Sequence, residues 1–203
     1  MVDKASGNKV WKISPRLASV KITAGAVKQT YGKTAKLSVK VTPKATGTVS
    51  VKAGKKTVSA KLSGGKATLT IPAKSLAPGK HTLTVKYPGV QGAFEASTAS
   101  VKVTVAKASP SVKVSVPKKV KRGKTATITV TVKATGVQPS GKVTVNLGGT
   151  KKTVKLSSKG KAVVKIKVAK GTKIGKKKLA VSYAGSSYVA AKKASTKWVT
   201  VTR

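Results

Sequence analysis

The sequence predicts an all-β protein made of two tandem β-sandwiches of about seven strands each, on three observations. The first is a repeat: Tyr31-Gly32-Lys33-Thr34-Ala35-Lys36-Leu37-Ser38-Val39-Lys40-Val41 returns as Arg122-Gly123-Lys124-Thr125-Ala126-Thr127-Ile128-Thr129-Val130-Thr131-Val132, dividing 203 residues into two units of about 90 to 95 residues each. The second is alternation. Leu37, Val39 and Val41 point one way and Lys36, Ser38 and Lys40 the other, so one face is core and the other meets water. The third is the regular return of Gly and Pro turn residues between short Val-, Ile- and Thr-rich runs, the spacing expected of an all-β sandwich.

Residues 1–15 read as an arm: polar Asp3-Lys4-Ala5-Ser6-Gly7-Asn8, then a strand-like Val10-Trp11-Lys12-Ile13 that Pro15 interrupts. Trp11 is expected to cover an edge or the domain junction. Repeat 1, residues 16–106, offers strands at 19–23, 34–42, 47–53, 57–62, 66–71, 80–87 and 97–105. Gly54, Gly64-Gly65 and Pro78-Gly79 supply the reversals between them. A short connector over 106–110 holds the units close in sequence. Repeat 2, residues 107–203, offers strands at 111–116, 125–133, 141–147, 153–156, 161–168, 176–183 and 195–202. Corresponding residues check the map: Gly32 with Gly123, Gly47 with Gly141, Gly65 with Gly160, Gly79 with Gly175 and Tyr87 with Tyr183. The offset grows only between proposed strands, where insertions are tolerated.

Tyr-Gly-Lys-Thr-Ala at the second strand, Thr46-Gly47-Thr48-Val49-Ser50-Val51 at the third, Gly65-Lys66-Ala67 at the fifth and Tyr87-Pro88-Gly89 after the sixth together resemble the bacterial immunoglobulin-like repeats of secreted and surface proteins, especially the actinobacterial variety. The likeness covers residues 16–203. It implies Greek-key immunoglobulin-like sandwiches in an extracellular or cell-surface protein, where such modules act as spacers, adhesive units or accessory domains. One departure stands out. The family pattern Gly-Asp-x-x-aromatic after the sixth strand has lost its acid here, since Val90 follows Gly89 and Ser186 follows Gly185, while Phe94 and Tyr188 keep the aromatic.

That loss is general. Lys and Arg number 44 against two acids, Asp3 and Glu95, for a formal net charge of +42. Almost no lysine has an acidic partner, so ion pairing does not explain them, while a polyanion would be concentrated by such a surface. Aromatics are 3% of the chain, which leaves the cores to small branched side chains. Without cysteine neither disulfides nor thiolate chemistry is available. No segment is apolar and long enough for a membrane helix, and residues 1–15 hold no signal-like apolar core, so a secreted protein's leader would lie outside this sequence.

Catalytic sets are incomplete. Asp3, Glu95 and His81 are the whole inventory of carboxylates and imidazole, too few for an acid–base pair in either repeat or for a zinc or calcium cage. His81 alternates with Leu83 and Val85 and is expected near or in the core. Gly32-Lys33-Thr34 and Gly123-Lys124-Thr125 echo a phosphate loop, but Val27 and Lys118 stand where its first glycine belongs and a strand follows, so both read as turns. A lysine–asparagine cross-link is not expected: repeat 1 has Glu95 without an asparagine, and repeat 2 has Asn146 without an acid. No cofactor, metal or small-molecule substrate is expected, and the protein is expected to be a non-catalytic monomer.

The charge lies mostly in repeat 2, with 25 Lys and Arg against 16 in repeat 1. The immunoglobulin connectivity that the resemblance implies would bring three of its connections to one pole. They carry Lys118, Lys119, Lys121, Arg122 and Lys124; Lys151 and Lys152; and Lys170, Lys173, Lys176, Lys177 and Lys178. These twelve are the candidate polyanion-binding residues, whereas Lys36, Lys40, Lys113, Lys165 and Lys167 read as the polar half of strand alternation. Arginine is confined to Arg16, Arg122 and Arg203, so binding to DNA, teichoic acid or acidic polysaccharide should be sequence-blind and salt-sensitive. Tyr87, Tyr183, Phe94 and Tyr188 are expected as core or loop anchors, and Trp198 as the exposed aromatic. The competing readings are a passive spacer or adhesin stalk and a module supercharged by design.

Overall fold

The computed structural model describes residues 16–203, and the expected arm, its strand and Trp11 lie outside the described residues. Two compact units make up the chain, and each of four sheets draws its strands wholly from residues 21–106 or wholly from residues 110–202.

In the first repeat the strands are β1 (Lys21–Ala24), β2 (Val27–Thr30), β3 (Ala35–Thr42), β4 (Thr48–Ala53), β5 (Lys56–Lys61), β6 (Lys66–Ile71), β7 (Gly79–Tyr87) and β8 (Ser97–Ala106). They form a small sheet, β1-β3-β6, and a large one, β2-β8-β7-β4-β5. The second repeat has β9 (Pro110–Ser115), β10 (Lys119–Lys121), β11 (Thr125–Ala134), β12 (Lys142–Leu147), β13 (Thr150–Lys155), β14 (Lys161–Lys167), β15 (Gly175–Tyr183), β16 (Lys192–Lys193) and β17 (Lys197–Thr202). Its sheets are β14-β11-β9 and β10-β17-β15-β12-β13, with β16 added on β15. The strand order is the same in both repeats and is that of an immunoglobulin-like sandwich.

To the expected seven strands the structure adds one at the leading edge of each repeat and, in repeat 2, the two-residue β16. The leading edge is two strands, not one, because the chain changes sheets near its start. In repeat 1 the break falls at Gly25, and in repeat 2 at Pro117, which has no N–H to continue a ladder. The short second pieces, β2 and β10, pair at the edge of the large sheet. β2 has four residues and β10 three, and each follows so soon after the strand before it that the two do not read as separate runs.

Alternation places the core as expected. In β3, Leu37, Val39 and Val41 are buried while Lys36, Ser38 and Lys40 are exposed. In the second repeat Ile128, Val130 and Val132 of β11 join one buried cluster with Val143, Val145, Val181, Val199 and Val201 of the large sheet. Removing so much apolar surface from water is the main stabilising term. Tyr87 and Tyr183 are the bulkiest buried side chains. Each satisfies its hydroxyl on a backbone carbonyl, Tyr87 donating to Thr46 (2.9 Å) and Tyr183 to Ser140.

Matching glycines fasten both sandwiches. Gly65 and Gly160 have φ of 73° and 69°, and a Cβ on either would lie 2.6 Å from the carbonyl oxygen of Val41 or Val132. That approach lets the glycine carbonyls accept from Val41 N (2.8 Å) and Val132 N (2.9 Å), tying the turn before β6 or β14 to the central strand of the small sheet. Only glycine combines this backbone region with this proximity.

Candidate anion-binding surface

The three connections expected to share a pole in repeat 2 do share one. Gly123 N donates to Val168 O (2.8 Å), Val168 N to Lys124 O (2.9 Å) and Arg122 N to Thr202 O (3.0 Å). Gly148, in the β12–β13 turn, donates its N–H to Lys178 O (3.1 Å). A Cβ on Gly123 would lie 3.4 Å from Lys170 Cγ, and one on Gly148 would lie 3.6 Å from Lys177 Cβ, so lysine stems lie over both turns. Arg122, Lys124, Lys170, Lys173 and Lys177 therefore gather at this end. Arg203, which follows Thr202, joins them and was not among the expected cations.

The other candidates are differently placed. Lys119 and Lys121 were expected in a connection, but they belong to β10, which runs parallel to β17 with Lys119 opposite Thr200 and Lys121 opposite Thr202. Val120 between them is buried, so both lysines face outward from the large sheet. Lys118 precedes this strand, its carbonyl accepting from Thr200 N (2.9 Å). In β15 the burial alternates, with Lys176 and Lys178 exposed and Lys177 half-buried. Lys176 and Lys178 thus join the outer face, while Lys177 follows the parity of Leu179 and lines the mouth of the sandwich with Leu147, Ile166 and Val201. Lys151 is opposite Asn146 on the outer face. Lys152 has the opposite parity, and its Nζ donates to Lys165 O (3.2 Å), clamping β13 to β14 across the sandwich edge.

The twelve cations thus form a polar cap, an outer-face group and one structural clamp. The outer face also holds Lys142, Lys155 and Lys193, whose signal was their position within or beside strand alternation. Trp198 lies among them, 58% exposed and directly opposite Lys178; its expected exposure is met.

Elsewhere the chemistry is sparse. His81 is half-buried and not in the core, because it precedes the first buried residue of its strand, Leu83. Its Nε2 hydrogen-bonds Ala77 O (2.7 Å). Glu95 is the sole carboxylate side chain among the described residues and accepts from Ser19 Oγ (2.7 Å). Both Gly-Lys-Thr segments are turns that open β3 and β11, with Lys33 N donating to Thr30 O (3.0 Å) and Lys124 N to Lys121 O (3.2 Å). Burial pushes the Tyr87 phenol above its ordinary value. Of the other aromatic anchors, Tyr183 is in the core, Phe94 is half-buried and Tyr188 is 44% exposed. No group of three or more metal-ligating side chains occurs among the described residues, and no helix there is long and apolar enough to cross a membrane.

The bacterial Ig-like domain (group 3) matches the sequence twice, over residues 22–106 and 113–202. The chain belongs to this family. Among solved structures, these bacterial Ig-like domains are similar to a tetra-tandem repeat in the extending region of a large adhesion protein, at 18% identity and a TM-score of 0.50, covering 91% of this chain and 49% of that one. They are also similar to a Ca2+-stabilised adhesin that helps an Antarctic bacterium reach out and bind ice (14% identity, TM-score 0.39, 92% of this chain and 50% of that one). A third similar structure is the ICAM-5 D1–D4 ectodomain fragment (7% identity, TM-score 0.43, 90% and 50%). The chain spans about half the length of each of these structures, and at such identities the likeness is one of fold. No characterised protein sequence matches the chain significantly.

Proposed function

We propose that this chain is a non-catalytic, load-bearing spacer module of an extracellular or cell-surface protein, with domains over residues 16–106 and 107–203. The observation that carries this reading is the chain path through the second sandwich. Pro110, at the start of β9, is opposite Ala134 at the far end of β11, whereas Thr202 ends beside Arg122 at the near end. The chain therefore enters at one end and leaves at the other, and its last strand is parallel to β10. Tension between the two ends pulls β10 and β17 in opposite directions along their axes. Their hydrogen bonds are then loaded together in shear instead of being opened one at a time. Membership of the bacterial Ig-like family and the fold shared with an adhesin's extending region support the same reading.

Pulling single full-length molecules tests it. Two unfolding steps are expected, each releasing roughly 90 residues, or about 30 nm of chain. Arg122→Pro, which removes the Arg122 N–H donor, should lower the unfolding force of one step and leave the other unchanged. Equal forces in variant and wild type would sink the shear argument.

A second reading is favoured by a separate observation. Residues 16–203 hold 41 Lys and Arg and one carboxylate side chain, and that carboxylate is engaged by a serine hydroxyl. The cations of repeat 2 are thus available to a polyanion such as DNA, teichoic acid or acidic polysaccharide. Affinity should fall linearly on logarithmic axes as salt rises, through counterion release. A titration of duplex DNA, polyphosphate and polygalacturonate at several salt concentrations decides this reading. Loss of all binding at physiological ionic strength, where the screening length is about 8 Å, leaves only the spacer.

A further inference from the structure

We propose that the outer face of the large sheet in repeat 2 is a binding site for acidic polysaccharide, with Trp198 as the platform for a sugar ring. The proposal rests on the polyanion reading and specifies its location and ligand. Strand register gives the composition. Trp198 of β17 is opposite Lys178 of β15, and one outward position further along, Thr200 lies between Lys176 and Lys119. Beside Trp198 the sheet forms a shallow concavity whose polar lining includes Thr144, Asn146, Lys151, Lys178, Ser182 and Lys193. Hydroxyls and an amide share its floor with Ala180, Val181 and Ala194, and three ammonium groups stand around it.

The floor has donors to offer. Asn146 Oδ1 accepts from Gly149 N (3.1 Å), which fixes the amide and leaves its Nδ2 to donate outward. Thr144 and Thr153 pair through their hydroxyls (2.9 Å), so that one of the two still has a proton to give. A polymer that offers only phosphates would use the lysines and the donors of the floor but leave the indole idle. A single nucleic-acid strand is held by successive aromatics on which successive bases stack, and this face has one. A sugar acid uses all three elements: its C–H face covers the indole, its hydroxyls meet Thr, Ser and Asn, and its carboxylate pairs with lysine. Such sites are formed by apolar contact with a few polar groups that fix orientation. The distances also suit a chain of rings. Lys176 and Lys178 are two residues apart on one strand, about 7 Å, and Lys151, level with Ala180 two strands away, lies about 12 Å from Lys178, which is on the scale of two to three sugar rings.

Repeat 1 provides an internal comparison. Its corresponding last strand, β8, presents Ser100, Lys102 and Thr104 on exposed positions and no aromatic, so the proposed site belongs to repeat 2 alone.

The test uses the full chain, with polygalacturonate as the acidic polysaccharide, dextran as the neutral one, and duplex DNA and polyphosphate as charge controls, all near physiological salt. The expected result is binding of polygalacturonate with a shift in tryptophan emission. Trp198→Ala should weaken that binding tenfold or more and change DNA and polyphosphate binding by less than twofold. Trp198→Tyr should restore part of the affinity, and circular dichroism checks that each variant is folded. If Trp198→Ala binds polygalacturonate like wild type, the site is overturned while the polyanion reading stands. An equal loss for DNA overturns the choice of ligand. If wild type binds none of the charged polymers, the polyanion reading itself fails.

Discussion

Replacing Gly160 with alanine tests the account of how each sandwich is fastened. The residue has φ of 69°, and the added Cβ would lie 2.6 Å from Val132 O. A left-handed backbone costs a non-glycine residue roughly 1–2 kcal/mol. The close contact adds to this, because Val132 must shift although its own N–H donates to Gly160 O (2.9 Å), and such a bond contributes about 1 kcal/mol. Gly160→Ala should therefore destabilise repeat 2 by about 2–4 kcal/mol. For a unit of this size that corresponds to a fall in Tm of about 10 °C or more. Gly65→Ala should act alike in repeat 1, where the new Cβ would meet Val41 O at 2.6 Å and Lys44 Cα at 3.1 Å. Gly171→Ala is the control, since its Cβ would meet nothing within 4 Å, and a change within about 1 kcal/mol is expected. Urea denaturation of the full chain, followed by circular dichroism and tryptophan emission, measures all three. A loss below 1 kcal/mol for Gly160→Ala, or an equal loss for Gly171→Ala, would refute the reasoning.

Tyr87→Phe leaves Thr46 O without its phenolic donor and should cost about 1–2 kcal/mol at neutral pH. Because burial raises the Tyr87 phenol above 10.0, the unfolded chain loses that proton first as pH rises. The tyrosine's contribution is then complete below about pH 10 and declines above it, so the gap between wild type and Tyr87→Phe should narrow from pH 8 to pH 11 in parallel urea melts. Gln29 is buried and donates Nε2 to Lys33 O (2.9 Å) and Pro72 O (3.2 Å); Gln29→Ala should destabilise by about 1–3 kcal/mol, which thermal melts would register. Neutralising Lys124, Lys170 and Lys173 to Gln should reduce the salt slope of DNA binding, by up to about 0.9 per lysine that contacts phosphate. The same change at Lys36, Lys40 and Lys66 should reduce it less, and equal reductions would show that the polar cap has no special role.

The strands with a buried face were legible because alternation reports burial directly, as in Leu37, Val39 and Val41. The repeat did the rest, since Gly65 with Gly160 and Tyr87 with Tyr183 hold equivalent structural roles. What escaped is equally physical. β10 is three residues long, so Lys119 and Lys121 read as loop cations when they are edge-strand residues. Lys152 could not be distinguished from Lys151 by composition. The parity that separates an outward lysine from one bonded to Lys165 O depends on where the β12–β13 turn ends, and the sequence pattern starts that strand at 153, three residues beyond Thr150, where it begins.

The open edges of the four sheets have a consequence for association between molecules. Each path-end strand carries lysine: Lys21 in β1, Lys66 in β6, Lys28 in β2, Lys56 in β5, Lys113 in β9, Lys165 in β14, Lys119 in β10 and Lys151 in β13. Unpaired strand edges invite another chain to add on, and charged residues there discourage it. With so few acids in the sequence, edge-to-edge addition of a second copy would set lysine against lysine, so the charge acts as a guard against fibre-like self-assembly. That guard depends on ionic strength. It weakens as the screening length contracts to about 3 Å near 1 M salt, which makes concentrated salt the condition under which these edges would begin to pair.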